Sequence, residues 1–373
     1  MSLFLLVYEA VNLIYARINN FKYKLRYLYN VINYFLMQKL FLYVIMLASL
    51  CACPGQNNEL ISINGLTMGT SYSIKIVPDN IALDKSTIHT DIENILADIN
   101  QSMSTYINDS ELSLFNKAAV TSWQVLSADL YRVIEHGKQI SSISNGAFDV
   151  TVGPLVNLWG FGPDPYTREI PSDSVIQAIK QHTGYKKLDF DESTHRIAKS
   201  DPAITIDLSG IAKGFAVDKI AQYLDRSGFM NYLVEIGGEL VGKGINTRQQ
   251  AWQIGIEQAN PLERSVQRIV GLDNIAMATS GDYRNYYEKD GIRYSHTIDP
   301  ITGKPINHRL AAVTVLHSSA MHADALATGF MVSGPEKSLA LANKIGVALY
   351  MIIKTSTGFE ERYNEQFKPY LTN

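Results

Sequence analysis

The amino-acid sequence predicts a fold that mixes strands with helices, and three stretches carry that prediction. Residues 61–77 alternate apolar and polar positions and break at Met68-Gly69, which is the pattern of two strands with Ile74 and Ile76 on one face. Ile88, Ile92, Ile95, Leu96, Ile99 and Met103 then recur at helical spacing, a stripe that a helix turns toward a core. Residues 206–218, IDLSGIAKGFAVD, read as a strand ending at Asp207, a small-residue turn through Ser209 and Gly210, and a helix from Ile211 with Phe215, Val217, Ile220, Ala221 and Leu224 on its apolar side.

A chain of 373 residues can bury a large core, as one elaborate domain or as two. With 46% hydrophobic and 18% charged residues, wholesale disorder is excluded. A formal net charge of -3 gives no reason to expect a nucleic-acid partner. The only cysteines, Cys51 and Cys53, lie near the start, so the rest of the chain has no disulfide, no thiolate metal site and no cysteine nucleophile. The 21 tyrosines suit a ring-containing ligand, and equally a tyrosine-rich core.

Taken in order, residues 1–36 are apolar and then basic and aromatic, and they read as an upstream extension rather than a domain. From Met37 a short charged region, Gln38-Lys39, leads into an apolar run at 40–50 that is too short to span a bilayer, and Ala52 precedes Cys53. Residues 50–53, LCAC, resemble the lipoprotein box of bacteria. The prediction is therefore a signal peptide at 37–53 cleaved before a lipidated Cys53, a polar tether at 54–60, and a folded domain at 61–373. A membrane anchor built from 1–50 is the competing reading, and an intact Met1 in the mature protein would favour it.

Beyond the first helix, residues 104–116, STYINDSELSLFN, are dense in capping residues, with Tyr106 near their start. A second amphipathic helix covers 127–144 and closes at Asn145-Gly146. Residues 146–163, GAFDVTVGPLVNLWGFGP, combine glycines, Trp159, Phe161 and a lone carboxylate, Asp149, beside Phe148. Glycines let backbone approach a flat ligand and Asp149 could accept its hydrogen bonds, although a loop closing over the core has the same composition. Ser172 caps a helix running to Thr183, and a strand pair covers 187–206. Residues 232–244, YLVEIGGELVGKG, read as a buried strand ending in Gly237-Gly238, without the spacing of a dinucleotide fingerprint. Further strands are expected at 252–257 and 267–272, then from Ile275 into Thr279-Ser280-Gly281. A hairpin follows over Lys289-Asp290-Gly291, and residues 294–298 lead into a proline turn.

Two stretches carry chemistry. A strand feeding a helix through Ser209-Gly210 leaves backbone N–H groups at the positive end of a helix dipole, which suits a phosphate. Lys213 adds a charge in the first helical turn, where the dipole disfavours it; an ordinary connection with a solvated lysine gives the same pattern. Residues 319–334, SAMHADALATGFMVSG, read as a helix in which Asp324 and Thr328 stand four apart and share a face. A carboxylate and a hydroxyl are hard ligands that suit magnesium, while a buried cap or hydrogen-bond hub is the plainer role for Asp324. His317 and His322 are five apart and do not make a zinc-binding helix pair.

The chain as a whole resembles the ApbE family of FAD:protein FMN transferases, which are often periplasmic lipoproteins. MGTSYSIKI at Met68, STYINDSELSLFN, GAFDVTVGPLVNLWGFGP, IDLSGIAKGFAVDKIA, VEIGGEL, ATSGDYRNYY, YSHTIDPITG and HADALATG occur in family order over nearly all of the mature chain. The resemblance implies an α+β fold with antiparallel and mixed sheets flanked by helices, and an FAD site in a central cleft. It also implies magnesium-dependent transfer of FMN from FAD to a threonine or serine hydroxyl, with AMP leaving. By the same resemblance, Asp324 and Thr328 hold magnesium with the backbone carbonyl of Ala212. Met68, Tyr106, Ala147, Phe148, Asp149, Ser209, Phe215 and Ile298 line the FAD site, and Lys213, Gly237, Gly238, Thr279, Ser280 and His296 fall in the same motifs. His296 is the candidate for deprotonating the acceptor hydroxyl and Lys213 for stabilising phosphate charge. The implied partner is a subunit of a sodium-pumping (Nqr-type) or Rnf-type redox complex, or a related FMN-binding domain. The implied location is the cell envelope, lipid-anchored and facing the periplasm. Competing readings are an FAD pyrophosphatase with water as acceptor, a non-catalytic FAD-binding lipoprotein, and a surface scaffold.

Overall fold

A computed structural model describes residues 3–50, 60–78, 84–162, 169–258, 265–282 and 286–372. They divide into two units, Met1–Asn57 and Asn58–Asn373. The first unit is a single long helix, α1 (Leu3–Leu50), running through both the expected extension and the apolar run of the signal peptide. Cys51, Cys53 and nearly all of the tether lie outside the described residues. Among the described residues no helix is long and apolar enough to cross a membrane.

The second unit is built on one eight-stranded sheet, every neighbouring pair of which is antiparallel. In chain order its strands are β1 (Ile61–Thr67), β2 (Thr70–Ile76), β3 (Tyr232–Ile236), β4 (Glu239–Lys243), β5 (Ile275–Gly281), β6 (Leu310–His317), β7 (Ala348–Thr355) and β8 (Gly358–Tyr363). Their spatial order is the same as their chain order. The register sets Ile63, Ile74, Val234, Val241 and Ala276 opposite one another across five strands, so the period-2 alternation of each builds a continuous apolar ridge. That ridge belongs to the main core, whereas Leu233, Leu240, Met277, Tyr350 and Ile352 face a second core on the other side of the sheet. Trp252 and Phe367 close this second face, Trp252 from a hairpin of Trp252–Glu257 and Val266–Leu272. A bulge in β6 turns both Ala311 and Ala312 to the second face while Leu310 and Val313 stay on the first.

The helices cover the first face. Between β2 and β3 the chain makes a long excursion through α2 (Lys85–Met103), α3 (Glu111–Lys117), α4 (Ala128–Ile143), α5 (Gly153–Leu158), α6 (Asp173–Lys180) and α7 (Ala212–Arg226). Between β6 and β7 come α8 (Ala320–Ser333) and α9 (Pro335–Ile345). Ser110, Ser127, Ser172 and Ser319 cap α3, α4, α6 and α8 through their hydroxyls, each accepting from the N–H three residues on. α8 is apolar nearly all round and accordingly central, packed on α7, α4, β5 and β6. Asp218 of α7 ties the two inner helices together, because its carboxylate accepts from Ser319 Oγ at 2.7 Å, Ala320 N at 2.8 Å and Met321 N at 3.1 Å at the start of α8.

Three expectations about strands are corrected. Residues 232–244 are two strands, not one: Gly237 and Gly238, at φ +58 and +101, form the two-residue turn joining β3 to β4. The segment leading to Asp207 is extended but belongs to no ladder. Its pairing groups are taken by a side chain, as Asn116 donates from Nδ2 to Ile206 O at 2.8 Å and accepts from Ile206 N at 2.7 Å. The strand pair before it, Leu188–Asp191 with Arg196–Lys199, ends earlier than expected.

Candidate active site

The site is assembled where α7 begins. Asp207 N donates to Val150 O at 2.7 Å and Ser209 N to Asp207 Oδ1 at 2.7 Å, which fixes the turn before the helix. Gly210 then passes directly beneath α8: a Cβ there would lie 3.0 Å from Thr328 Oγ1 and 3.2 Å from the Phe148 ring. One turn on, a Cβ at Gly214 would fall 2.3 Å from Ala320 O, so only glycine lets α7 approach α8 this closely. The two glycines of SGIAKG are what bring the turn and the first residues of α7 against Asp324 and Thr328.

The backbone at this helix start is not the open anion trap expected from the sequence. Ile211 and Ala212 donate their N–H groups to Leu208 O, Phe215 donates to Ile211 O, and Gly214 N donates to Asp324 Oδ2 at 3.0 Å. Positive charge is supplied by the Lys213 side chain instead, whose Nζ stands 3.1 Å from Glu239 Oε2 and 3.7 Å from Asp324 Oδ2. Both carboxylates are almost wholly buried, at 3% and 4% exposure. Glu239 Oε2 sits near the ammonium without the alignment of a hydrogen bond.

One ammonium faces two carboxyl groups here, more negative charge than it can balance if both ionise. Burial pushes the Glu239 and Asp324 carboxyls above their usual range, against the pull of Lys213, and for Glu239 the Asp324 charge adds to the rise. Burial alone would lower Lys213, but Asp324 and Glu239 more than reverse it and hold the ammonium charged. With Glu239 pushed up to about 8, a proton keeps the balance near neutral pH, and a divalent cation could take its place.

Two cavities meet at this point. One, of about 350 Å3, is lined by Ala147, Phe148, Asp149, Ser209, Lys213, Gly237, Thr279, Ser280, His296, Ile298, Asp324 and Thr328 among the residues expected at the site. The other, of about 660 Å3, is lined by Met68, Tyr106, Ser209, Ala212 and Lys213 with the apolar Ile99, Met103, Ile107 and Leu208. Met68 sits in the β1–β2 turn at φ +50, a left-handed conformation costly for its side chain, and Tyr106 is 70% exposed on the opposite wall. Ser209, Lys213 and Asp207 line both spaces, so one extended ligand could occupy the two together.

Two expected residues line neither space. Phe215 is on the face of α7 turned into the main core, and Gly238 is in a hairpin turn where its N–H donates to Glu235 Oε1 at 2.8 Å. Asp149 does line the smaller cavity, yet its oxygens are largely committed: Thr151 N and Oγ1 donate to Oδ1 at 2.8 and 2.7 Å, and Tyr185 N to Oδ2 at 2.9 Å. It chiefly organises the loop that presents Ala147 and Phe148. His296 lines the smaller cavity with its ring edge-on to Phe161 at 6.3 Å. Sequence reasoning missed Glu239 and the reach of Asp207. A glutamate directly after Gly237-Gly238, leading into the apolar Leu240-Val241, was the available signal for the first.

Asp324 and Thr328, one helical turn apart on the same cavity, could hold a metal, with Ala212 on the adjoining wall. No group of three or more His, Cys, Asp or Glu among the described residues is placed to hold one. His317 and His322 do meet, their rings stacked at 4.0 Å, and burial pushes His322 down to about 3.

Comparison with known proteins points in one direction. The model of the ApbE family matches residues 68–351. The chain is 44% identical over 332 residues to FAD:protein FMN transferase of Vibrio cholerae serotype O1, covering 88% of this chain and 99% of that protein. It is 43% identical over 330 residues to FAD:protein FMN transferase of Haemophilus influenzae, covering 87% and 95%. The fold superimposes on flavin transferase ApbE from Vibrio cholerae with a TM-score of 0.79 at 44% identity, over 84% of this chain and 99% of that one. For the apo form of flavinyl transferase ApbE from Pseudomonas stutzeri the TM-score is 0.77 at 40% identity, over 84% and 96%.

Proposed function

This chain belongs to the ApbE family, and on that premise we propose that it is an FAD:protein FMN transferase that uses magnesium to move FMN from FAD onto a threonine or serine hydroxyl of an acceptor flavoprotein, releasing AMP. The observation that supports this most is the buried group of Lys213, Glu239 and Asp324 at the junction of two cavities, with Thr328 beside it. A site with two carboxylates and one ammonium suits a cation bound together with a diphosphate. Asp324 and Thr328, with the carbonyl of Ala212, would hold magnesium, which when bound supplies Lewis-acid neutralisation of the diphosphate oxygens.

The rest of the work falls to the chain's own side chains. The larger cavity, with apolar walls and Tyr106, takes a flat ring system, and the junction at Ser209 and Lys213 takes the phosphates. Lys213, kept charged by its two carboxylates, places an ammonium where negative charge builds up on the transferring group. His296 takes the proton from the acceptor hydroxyl as its oxygen bonds to the FMN phosphorus. The bond from that phosphorus to the AMP oxygen breaks, and AMP leaves with the electron pair.

The test is to incubate the protein with FAD, magnesium and the FMN-binding domain of an Rnf-type redox subunit, and to weigh the domain. An added FMN with one AMP per modified domain supports transfer. Rapid AMP release with the domain unmodified would mean a hydrolase. In the same assay His296→Ala should slow transfer by about a hundredfold or more while FAD binding is kept, the usual contribution of a positioned base. Transfer at the wild-type rate would assign the proton to another group.

A further inference from the structure

We infer that a groove beside the catalytic cavity seats the acceptor protein, and that Lys337 and Lys344 on its wall select an acidic surface next to the target hydroxyl. The inference rests on the transferase reading and adds to it the path by which the second substrate arrives.

The groove, of about 470 Å3, runs between the end of α8 with α9 on one side and the turn at Asn145 with residues 299–301 on the other. It adjoins the catalytic cavity: Ala147 and Val332 line both, and Asp299 and Ile301 in the groove flank Pro300, which lines the cavity. A segment lying in it would approach the space lined by His296, Asp324 and Thr328 past Ala147, Val332 and Pro300, none of which lines the larger cavity. In-line phosphoryl transfer requires the attacking oxygen and the leaving group on opposite sides of the phosphorus. A nucleotide laid across the two cavities leaves this third direction for the polypeptide.

The chemistry of the walls suits a protein surface. Ile301 is 58% exposed at the rim and Leu341 is half-buried, giving an apolar floor. Lys337 and Lys344 are exposed, seven residues apart on α9 and so two turns along one face. Among the described residues, no carboxylate forms an ion pair with either. Asp299, the one acidic residue in the lining, has Oδ1 taken by Ile301 N at 2.8 Å. Lys344, in the last turn of α9, is favoured there by the helix dipole, but Lys337 lies in the first turn, where a cation is disfavoured. A partner carrying negative charge supplies the missing reason.

The test compares wild type with the double variant Lys337→Glu/Lys344→Glu in the acceptor-domain assay, varying acceptor and FAD separately. The KM for the acceptor domain should rise about tenfold or more, with kcat at saturation and the KM for FAD unchanged. Raising KCl should raise the wild-type acceptor KM and leave that of the variant flat or lower it. An acceptor KM within about twofold of a fully active wild type would overturn the inference, as would a rise in the KM for FAD instead, which would give the groove to the nucleotide. Wild-type protein that modifies no acceptor would sink the transferase reading itself, and the groove's role with it.

Discussion

Asp324→Asn should leave a folded protein that transfers FMN about a thousandfold more slowly, or not at all, in saturating magnesium and FAD. The amide is nearly isosteric and its oxygen can still accept from Gly214 N, so the contact between α7 and α8 survives. What is lost is the charge that a cation needs and that helps to hold the Lys213 ammonium. Metal-centred charge neutralisation is worth several kcal/mol in the transition state, which sets the size of the loss. Stability should change in the opposite sense. Burial holds the Asp324 carboxyl above its unfolded value, so its contribution is present at low pH and is lost as pH rises through the raised folded-state value. Without magnesium, Asp324→Asn should therefore melt no lower than wild type, and its advantage should grow from acid toward neutral pH. Mass measurement of the acceptor and melting curves at several pH values check both halves. Undiminished transfer would remove Asp324 from the site, and a collapsed melting temperature would make it a fold residue.

Gly214→Ala should be damaging in a way that helix propensity would not suggest. In an exposed helix interior, exchanging glycine for alanine gains about 0.5–1 kcal/mol. Here the new methyl would stand 2.3 Å from Ala320 O, 2.6 Å from Ala320 C and 2.8 Å from Asp324 Cβ, and the first two are backbone atoms that cannot rotate away. α7 and α8 must separate, at about 1–3 kcal/mol or more for overpacking. A drop in melting temperature of about 2–5 °C is expected for a domain of this size. Transfer should fall with it even below the melting range, because the same displacement carries Asp324 away from Lys213 and Thr328 away from Gly210. A variant that melts and turns over like wild type would mean the two helices do not meet at this glycine.

The parts of this site that were legible in the sequence are those whose partners are near in the chain. Asp324 and Thr328 declare a shared face through helical spacing, and the Met68-Gly69 turn and the stripe from Ile88 to Met103 need nothing beyond local periodicity. What was hidden depends on remote groups. Glu239 matters because Lys213 comes to it from another element, and nothing within VEIGGEL shows that ammonium. The segment before Asp207 looks like a strand because its apolar alternation is real, yet the groups that pair with it belong to the Asn116 side chain on α3 and to Val150. The phosphate-binding turn illustrates the same limit, since small residues ahead of a helix announce free N–H groups only if no carboxylate folds back on them, and Asp324 does. Phe215 was assigned to the cavity from its motif, but its place on the α7 face sends it to the core.

The sheet's simple order has a consequence for how the chain is made. β2 finds its second neighbour, β3, only after the whole of α2 through α7 has been synthesised, although the two strands are side by side with Ile76 opposite Tyr232. At ordinary translation speeds that interval is on the order of ten seconds. Throughout it, the hairpin of β1 and β2 presents Tyr72, Ile74 and Ile76 with no strand beside them. An open, apolar strand edge of that kind invites pairing with another nascent chain, so the ribosome-bound stage is where this protein would be most dependent on chaperones.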